Sequence, residues 1–267
     1  MQHRRLFTRV ASTALLILGL VHPAPAQESY GTGQFACSRF DEHVIANVTT
    51  ETGSGRRKEV VGQEGSLTIL ARDTLNGLLL EAWYDSLVVY REAAEGRIQP
   101  GTDGVIGGRF RGALTPDGRY TRRRVPFLPE DVGEVVNLVS ALDDFFPRLA
   151  PVPLAVGESW SGSPRMRITR LPDSLSLGQS LRRYELKVTE ADRPVPASDS
   201  TGIDVIQGED HLGVYVWSAD RGLLRWDREV AIRTVVPPGR DVRQAVRAKV
   251  VQHIVIERLR ECAPPEQ

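Results

Sequence analysis

The chain is short of several things at once. Over 267 residues it carries no net charge, with 34 basic and 34 acidic side chains, two cysteines and five histidines. Lysine is nearly missing, being confined to Lys58, Lys187 and Lys249. Such an arginine bias is the compositional mark of a GC-rich genome. Without a basic excess there is no electrostatic drive for generic nucleic-acid binding. No apolar stretch reaches the roughly 20 residues that span a bilayer, so no transmembrane segment is expected. CxxC, HxxxH, Walker, EF-hand and zinc-protease patterns are all absent, which leaves no motif-based case for a metal or a cofactor.

What is present begins with an address. Arg4, Arg5 and Arg9 precede the apolar run Ala11 to Val21, and Ala24-Pro25-Ala26 supplies a small-x-small cleavage site. Residues 1–26 therefore read as a signal peptide cleaved before Gln27, and no cysteine follows the site to take a lipid anchor. Losing three of the 34 basic groups leaves 31 against 34 acidic ones, so the exported part, 27–267, is slightly acidic. That part is read as a single domain, periplasmic or extracellular. Cys37 and Cys262 stand near its two ends. In an oxidising compartment they are most simply one disulfide that ties the ends together, worth about 5 kcal/mol at most by loop-closure entropy.

Most of the chain alternates with period two, as strands with one buried face do. Leu224, Trp226, Arg228, Val230, Ile232, Thr234 and Val236 share one side, opposite Arg225, Asp227, Glu229 and Arg233. Tyr184, Leu186 and Val188 alternate in the same way. Leu67 and Ile69, then Leu78, Leu80 and Ala82, then Leu87 and Val89 mark strands in the first half. Asn76-Gly77 and Thr115-Pro116-Asp117-Gly118 are tight-turn signals. Val246 to Ile256 alternates too, although Ala245 and Ala248 leave a helix open. Ala191 to Gly202 reads as a surface loop and Gly31-Thr32-Gly33 as a flexible start to the mature chain.

One segment departs from this pattern. Val132, Val135, Val136, Val139, Leu142 and Phe145 fall at spacings of three and four between Pro129 and Pro147. This predicts an amphipathic helix over about 129–146, with Glu130 and Asp131 in its first turn. The expected fold class is thus mainly β (α+β): a curved antiparallel sheet in two β-rich halves, 27–128 and 151–267, joined by one long amphipathic helix. Pro147 to Pro153 would be a rigid crossing.

In this order of elements, "GALTPDGRY", then a helix, then "FFPRLAPVPLAVGESW", the chain resembles a family of uncharacterised exported bacterial proteins with a domain of unknown function. Those show a Pro-rich crossing followed by a Gly-Asp/Glu-Ser-Trp element, here Gly157-Glu158-Ser159-Trp160 after Pro151 and Pro153. A looser likeness is to periplasmic lipoprotein carriers, which enclose an apolar pocket between a curved sheet and its helical cover. The first resemblance implies architecture and compartment, and the second is a fold analogy that implies no particular ligand.

Three constellations bear on chemistry. Gly157-Glu158-Ser159-Trp160-Ser161 nearly matches a nucleophile elbow, but strand signals follow it where a helix is needed. It reads better as a turn at Gly157, a local bond from Ser159 and a core anchor at Trp160. Asp199-Ser200-Thr201-Gly202 occurs once, whereas an aspartic protease needs two carboxylates. Asp41-Glu42-His43 and Glu209-Asp210-His211 read as polar loops at strand ends, and would make a metal site only if they met in space.

The remaining cluster is basic. If the 115–118 turn sets Leu114 against Arg119, then Arg111 opposes Arg122 and Arg109 opposes Arg124, with four Arg on one face. Like charges across a sheet are unfavourable. Either acidic side chains from a neighbouring strand or from Glu130-Asp131 neutralise them, or they hold an anionic ligand such as lipid head groups or acidic polysaccharide. A shift of one residue would bring Arg123 into the set. With no catalytic set in view, the expected function is a non-enzymatic binding or envelope-associated module, its partners a lipid or anionic envelope component. The alternative is a periplasmic hydrolase built from scattered Asp, Glu and His.

Overall fold

The computed structural model describes residues 27–176, 178–195, 205–238 and 244–262. The expected signal peptide and the Asp199–Gly202 element lie outside them. The period-two runs all become antiparallel strands. In chain order they are β1 (Cys37–Thr52), β2 (Gly55–Thr74), β3 (Gly77–Ala93), β4 (Gly96–Ile98), β5 (Phe110–Leu114) and β6 (Tyr120–Arg124). The second set comprises β7 (Ser159–Ser163), β8 (Met166–Ser176), β9 (Gln179–Val195), β10 (Val205–Ser218), β11 (Gly222–Val236) and β12 (Val246–Glu261). The stretch around 246–256 is therefore strand. The expected loop from Ala191 begins as part of β9, and residues 196–204 lie outside the described ones.

All twelve strands form one curved open sheet in the order β6-β5-β3-β2-β1-β12-β11-β10-β9-β8-β7, with β4 beside β3. The first half folds outward from β1 and the second folds inward to β12, so the first and last strands meet at the centre. Register pairs Val44 with Ile254 and Val48 with Val250 along that seam. Cys37 and Cys262 are disulfide-bonded across its end, with Cα atoms 5.1 Å apart and a sequence separation of 225. Irregular register at Ser66/Leu67 and Leu171/Ser174 marks bulges, which bend strands and increase twist.

The expected long helix is not there. Residues 125–158 cross the inner face of the sheet with one α-turn, α2 (Glu130–Gly133), and one 3-10 turn (Leu138–Ser140). Two sequence features explain this. Gly133, Asn137 and the β-branched Val132, Val135, Val136 and Val139 are all weak in helix interiors. In addition, Val132, Val135 and Leu138 repeat every three residues, a spacing that 3-10 turns eclipse on one side. The apolar positions keep their purpose, since Val132, Leu138, Leu142, Phe145 and Phe146 are all buried.

This cover segment is held mainly to the first half. Arg91 of β3 donates to the Glu134 carbonyl, and Arg122 of β6 donates to the Val139 carbonyl at 2.5 Å. Arg148 bonds Asp117 at 2.6 Å, beside Gly118, whose φ of +86° and close approach to the Pro147 carbonyl leave no room for a Cβ. The start of the described chain, expected to be flexible, is packed instead. It forms a single turn, α1 (Thr32–Phe35), and buries Tyr30 and Phe35. The Tyr30 ring meets Trp217 at 5.1 Å and Phe146 at 5.6 Å, while its hydroxyl donates to the Pro147 carbonyl at 2.9 Å. An aromatic cluster thereby joins cover, first half and second half. Among the described residues no helix is long and apolar enough to cross a membrane.

Candidate functional site

Between the cover and the middle of the sheet lies a cavity of about 410 Å³. Its sheet wall is mixed: Val44 and Val48 of β1, Val230 and Ile232 of β11 and Val250 and Ile254 of β12 alternate with Glu42, Gln63, Arg228 and Gln252. Val135, Val136 and Ala141 of the cover close it from the other side. Each of these sheet residues is an inner member of a period-two pattern, so the strands line the space with branched aliphatic side chains interrupted by a few polar ones. A second cavity, about 450 Å³, lies towards β9 and β10 under Phe146 and Pro147, and its lining includes Arg119, Arg148, Glu190 and His211. Asp144, Glu209 and Arg228 border both cavities.

Polar groups on the inner face treat their burial in two ways. Glu42 of β1 is 7% exposed and accepts hydrogen bonds at 2.7 Å from both Gln63 and Tyr84. Burial pushes its carboxyl above the usual carboxylate range, against those two hydrogen bonds and the charge of Arg228. Burial likewise lifts the Tyr84 hydroxyl well above its usual range, assisted by Glu42. On β10, Glu209 is hydrogen-bonded to His211, and that bond holds its carboxyl below the usual value.

Arg228 differs from these. It is 8% exposed, and its Nε has no hydrogen-bond partner among the described residues. It forms no ion pair with a described carboxylate, although Asp144, Glu42 and Glu209 are close enough to influence its charge. Burial makes its guanidinium easier to deprotonate than usual, an effect those three acids oppose. Its β10 neighbour in register is Gly213, where a Cβ would stand 2.5 Å from the Arg228 Cβ and 2.7 Å from the Trp226 ring. The strand therefore carries glycine where two large inner side chains need the room.

The four arginines singled out from the sequence are not brought onto one face. Leu114 pairs with Tyr120, one residue away from the expected Arg119, so Gly112 faces Arg122 and Arg111 faces Arg124. The turn sets this shift: the Thr115 N–H bonds the Arg119 carbonyl and Gly118 takes φ of +86°, giving a three-residue loop with a left-handed final residue. Arg109 and Arg111 share Glu81 of β3 at 3.7 and 2.8 Å, and the Arg109 guanidinium lies 3.5 Å above the Trp83 ring. Arg122 turns to the cover, with Asp143 at 3.7 Å. Acidic groups from a neighbouring strand and from the cover thus accompany three of the four.

The other sequence readings resolve as follows. Gly157 has φ of +87°, Ser159 bonds Thr169 at 2.9 Å and Trp160 packs against the core at the start of β7. Asp41-Glu42-His43 and Glu209-Asp210-His211 sit within strands, not in loops at strand ends. Alternation sends Glu42, Glu209 and His211 inward, while His43 lies 3.5 Å from Glu64 on the outer side. The sequence did hold a signal for the inner polar groups: Arg228 stands between Trp226 and Val230 on an otherwise apolar face, as Glu42 stands between Phe40 and Val44.

No family model matches the chain, and no curated protein matches it. Among solved structures, it is similar to a domain assigned as an outer membrane lipoprotein-sorting protein domain from Vibrio parahaemolyticus, at 10% identity. The match covers 85% of this chain and 87% of that one, with a TM-score of 0.16. A likeness this loose carries no weight for ligand or activity.

Proposed function

We propose that the protein is an exported, non-catalytic binding module that holds an apolar or lipid-like ligand between its cover segment and the inner face of the sheet. The carrying observation is the cavity of about 410 Å³, lined by Val and Ile side chains with a few polar groups, which falls within the roughly 300–1,000 Å³ of small-molecule sites. The Cys37–Cys262 disulfide supports an oxidising, extracytoplasmic setting. The test is mass spectrometry of lipids and metabolites that accompany the protein expressed through an export pathway. An acyl-chain compound near one per protein is the expected result. A clean apo protein that also fails to take up a fluorescent fatty acid overturns the proposal.

A second reading has one observation in its favour. Glu42, Glu209, His211, Asp144 and Arg228 converge on adjoining cavities, and a hydrolase would need such a convergence. Turnover in an ester and phosphodiester screen that disappears in Glu209→Gln would put that reading first. Arg109, Arg111, Arg122 and Arg124 keep a lesser place in the proposal, as the contact of this edge with an anionic envelope component.

A further inference from the structure

Among the described residues Arg228, more than nine-tenths buried, has no hydrogen bond or ion pair, only the Trp226 ring beside it, and it stands at the boundary of two cavities. The first sets Val44, Val230, Ile232 and Ile254 beside Glu42, Gln63 and Gln252, and the second adds Arg119, Arg148, Glu190 and His211. A buried guanidinium without acceptors is costly, and the least costly remedy is an anionic group within hydrogen-bonding reach. A purely anionic head group would nevertheless meet Asp144, Glu42 and Glu209 around the same point. Glu42 already has Gln63 and Tyr84, and Glu209 has His211, so the exposed Asp144, with no hydrogen bond among the described residues, is the carboxylate left to take a cation. The head group that satisfies both demands carries one negative and one positive charge, joined to a hydrocarbon chain.

We propose that Arg228 is the head-group anchor for a zwitterionic single-chain amphiphile of the phosphoethanolamine type. Its phosphate would be held by the guanidinium, its ammonium by Asp144 with Glu209 beside it, and its acyl chain along the Val44, Val230, Ile232 and Ile254 side of the first cavity. This rests on the ligand cavity proposed above and names the ligand class that cavity selects. Trp226, whose ring lies 5.6 Å from the Arg228 guanidinium carbon, provides a built-in reporter.

The test titrates the disulfide-intact protein, by tryptophan fluorescence and calorimetry, with four probes. They are lysophosphatidylethanolamine, a monoacylglycerol and a fatty acid of the same chain length, and free phosphoethanolamine. The expected order has the lysophospholipid at least tenfold tighter than the other two chain-bearing probes, with free phosphoethanolamine weakest. Arg228→Gln should lose about tenfold in affinity for the lysophospholipid and leave the monoacylglycerol unchanged, and Arg228→Lys should recover part of the loss. Asp144→Asn should narrow the preference for zwitterion over fatty acid.

Equal binding of all three chain-bearing probes, or an Arg228→Gln protein that keeps the preference, overturns this inference and leaves the cavity reading standing. Binding of free phosphoethanolamine as tight as the lipid overturns the lipid source. Failure of every chain-bearing probe overturns the cavity reading itself. If Arg228→Gln does not fold, as judged by circular dichroism, the probe order on the unaltered protein and the Arg228→Lys response decide the matter.

Discussion

The two halves of the sheet are built to one plan and bury different things. Each is an antiparallel meander that meets the other at the β1–β12 seam. In the first half Leu67, Ile69, Leu78, Leu80 and Leu114 fill most of the inner face, although β1 and β2 also line the first cavity through Val44, Val48 and Val61. Among the described residues its one buried carboxylate, Glu42, has partners in Gln63 and Tyr84. The cover segment is fastened there through Arg91, Arg122 and Arg148. In the second half, Arg228 is buried without a partner for its Nε, and the cover faces the strands across open space. A polar group whose bonds are all made inside the protein holds structure together. One whose bonds are unmade is available to something else. Among the described residues the first half reads as the better satisfied, the second as the one with a bond left to offer.

The largest way to break this comparison is to cut the tie between the halves. Cys37→Ser with Cys262→Ser should lower stability by about 3–5 kcal/mol in chemical denaturation. Dithiothreitol should do the same to the unaltered protein and nothing further to the variant. Next comes the contrast between partnered and unpartnered groups. Tyr84→Phe removes a donor to a buried carboxylate and should cost about 1–3 kcal/mol. Arg228→Met, which removes a buried charge without a described partner, should leave stability unchanged or raise it by about 1 kcal/mol. Equal losses in both variants would erase the distinction.

The pH dependence sharpens it further. Burial raises the Glu42 carboxyl, so the folded state holds that proton more tightly than the unfolded chain. Its contribution is full below the ordinary glutamate value of about 4.3 and fades as pH rises through the raised folded value. Glu209 is lowered by its bond to His211, so its contribution is present above the ordinary value and fades as pH falls through the lowered one. In denaturation curves at a series of pH values, Glu42→Gln should remove a loss on the alkaline side of the carboxylate range. Glu209→Gln should remove a loss on its acid side.

The smallest effect belongs to the outer edge. Arg124→Ser should change stability by less than about 0.5 kcal/mol, as exposed substitutions do. Salt-dependent binding to anionic vesicles that falls in Arg124→Ser combined with Arg122→Ser would support an envelope contact there. Equal, negligible binding by both forms would remove it.

Much of this architecture was legible in the sequence because a half-buried strand writes its two faces into alternate residues. Leu78, Leu80 and Ala82, or Tyr184 and Leu186, can be read one by one, and the turn at 115–118 announces itself through Pro116 and Gly118. The cysteine pair was legible because two thiols at opposite ends of a chain expected to be exported have one simple use. The cover was not legible, because residues at spacings of three and four fit an α-helix and a chain of short turns equally well until Gly133 and Asn137 are weighed. Nor was the register of β5 against β6, which hinges on whether the turn closes at Thr115 or one residue earlier. Arg228 was visible as the odd member of an apolar face. What alternation cannot say is whether such a residue finds a partner, since that depends on strands far away in the chain.

The seam at the centre of the sheet has a consequence for how the protein comes to exist. Its middle pair consists of the first and last strands, so the innermost ladder waits for the final residues to be made. Until β12 arrives, β1 and β11 each offer an unpaired edge, and those edges are what stray chains seize. Pairing partners more than 200 residues apart also slows folding, because loop closure must come before the contacts that reward it. Such a sheet is badly suited to folding as the chain emerges and well suited to folding once, after β12 has joined β1 and β11.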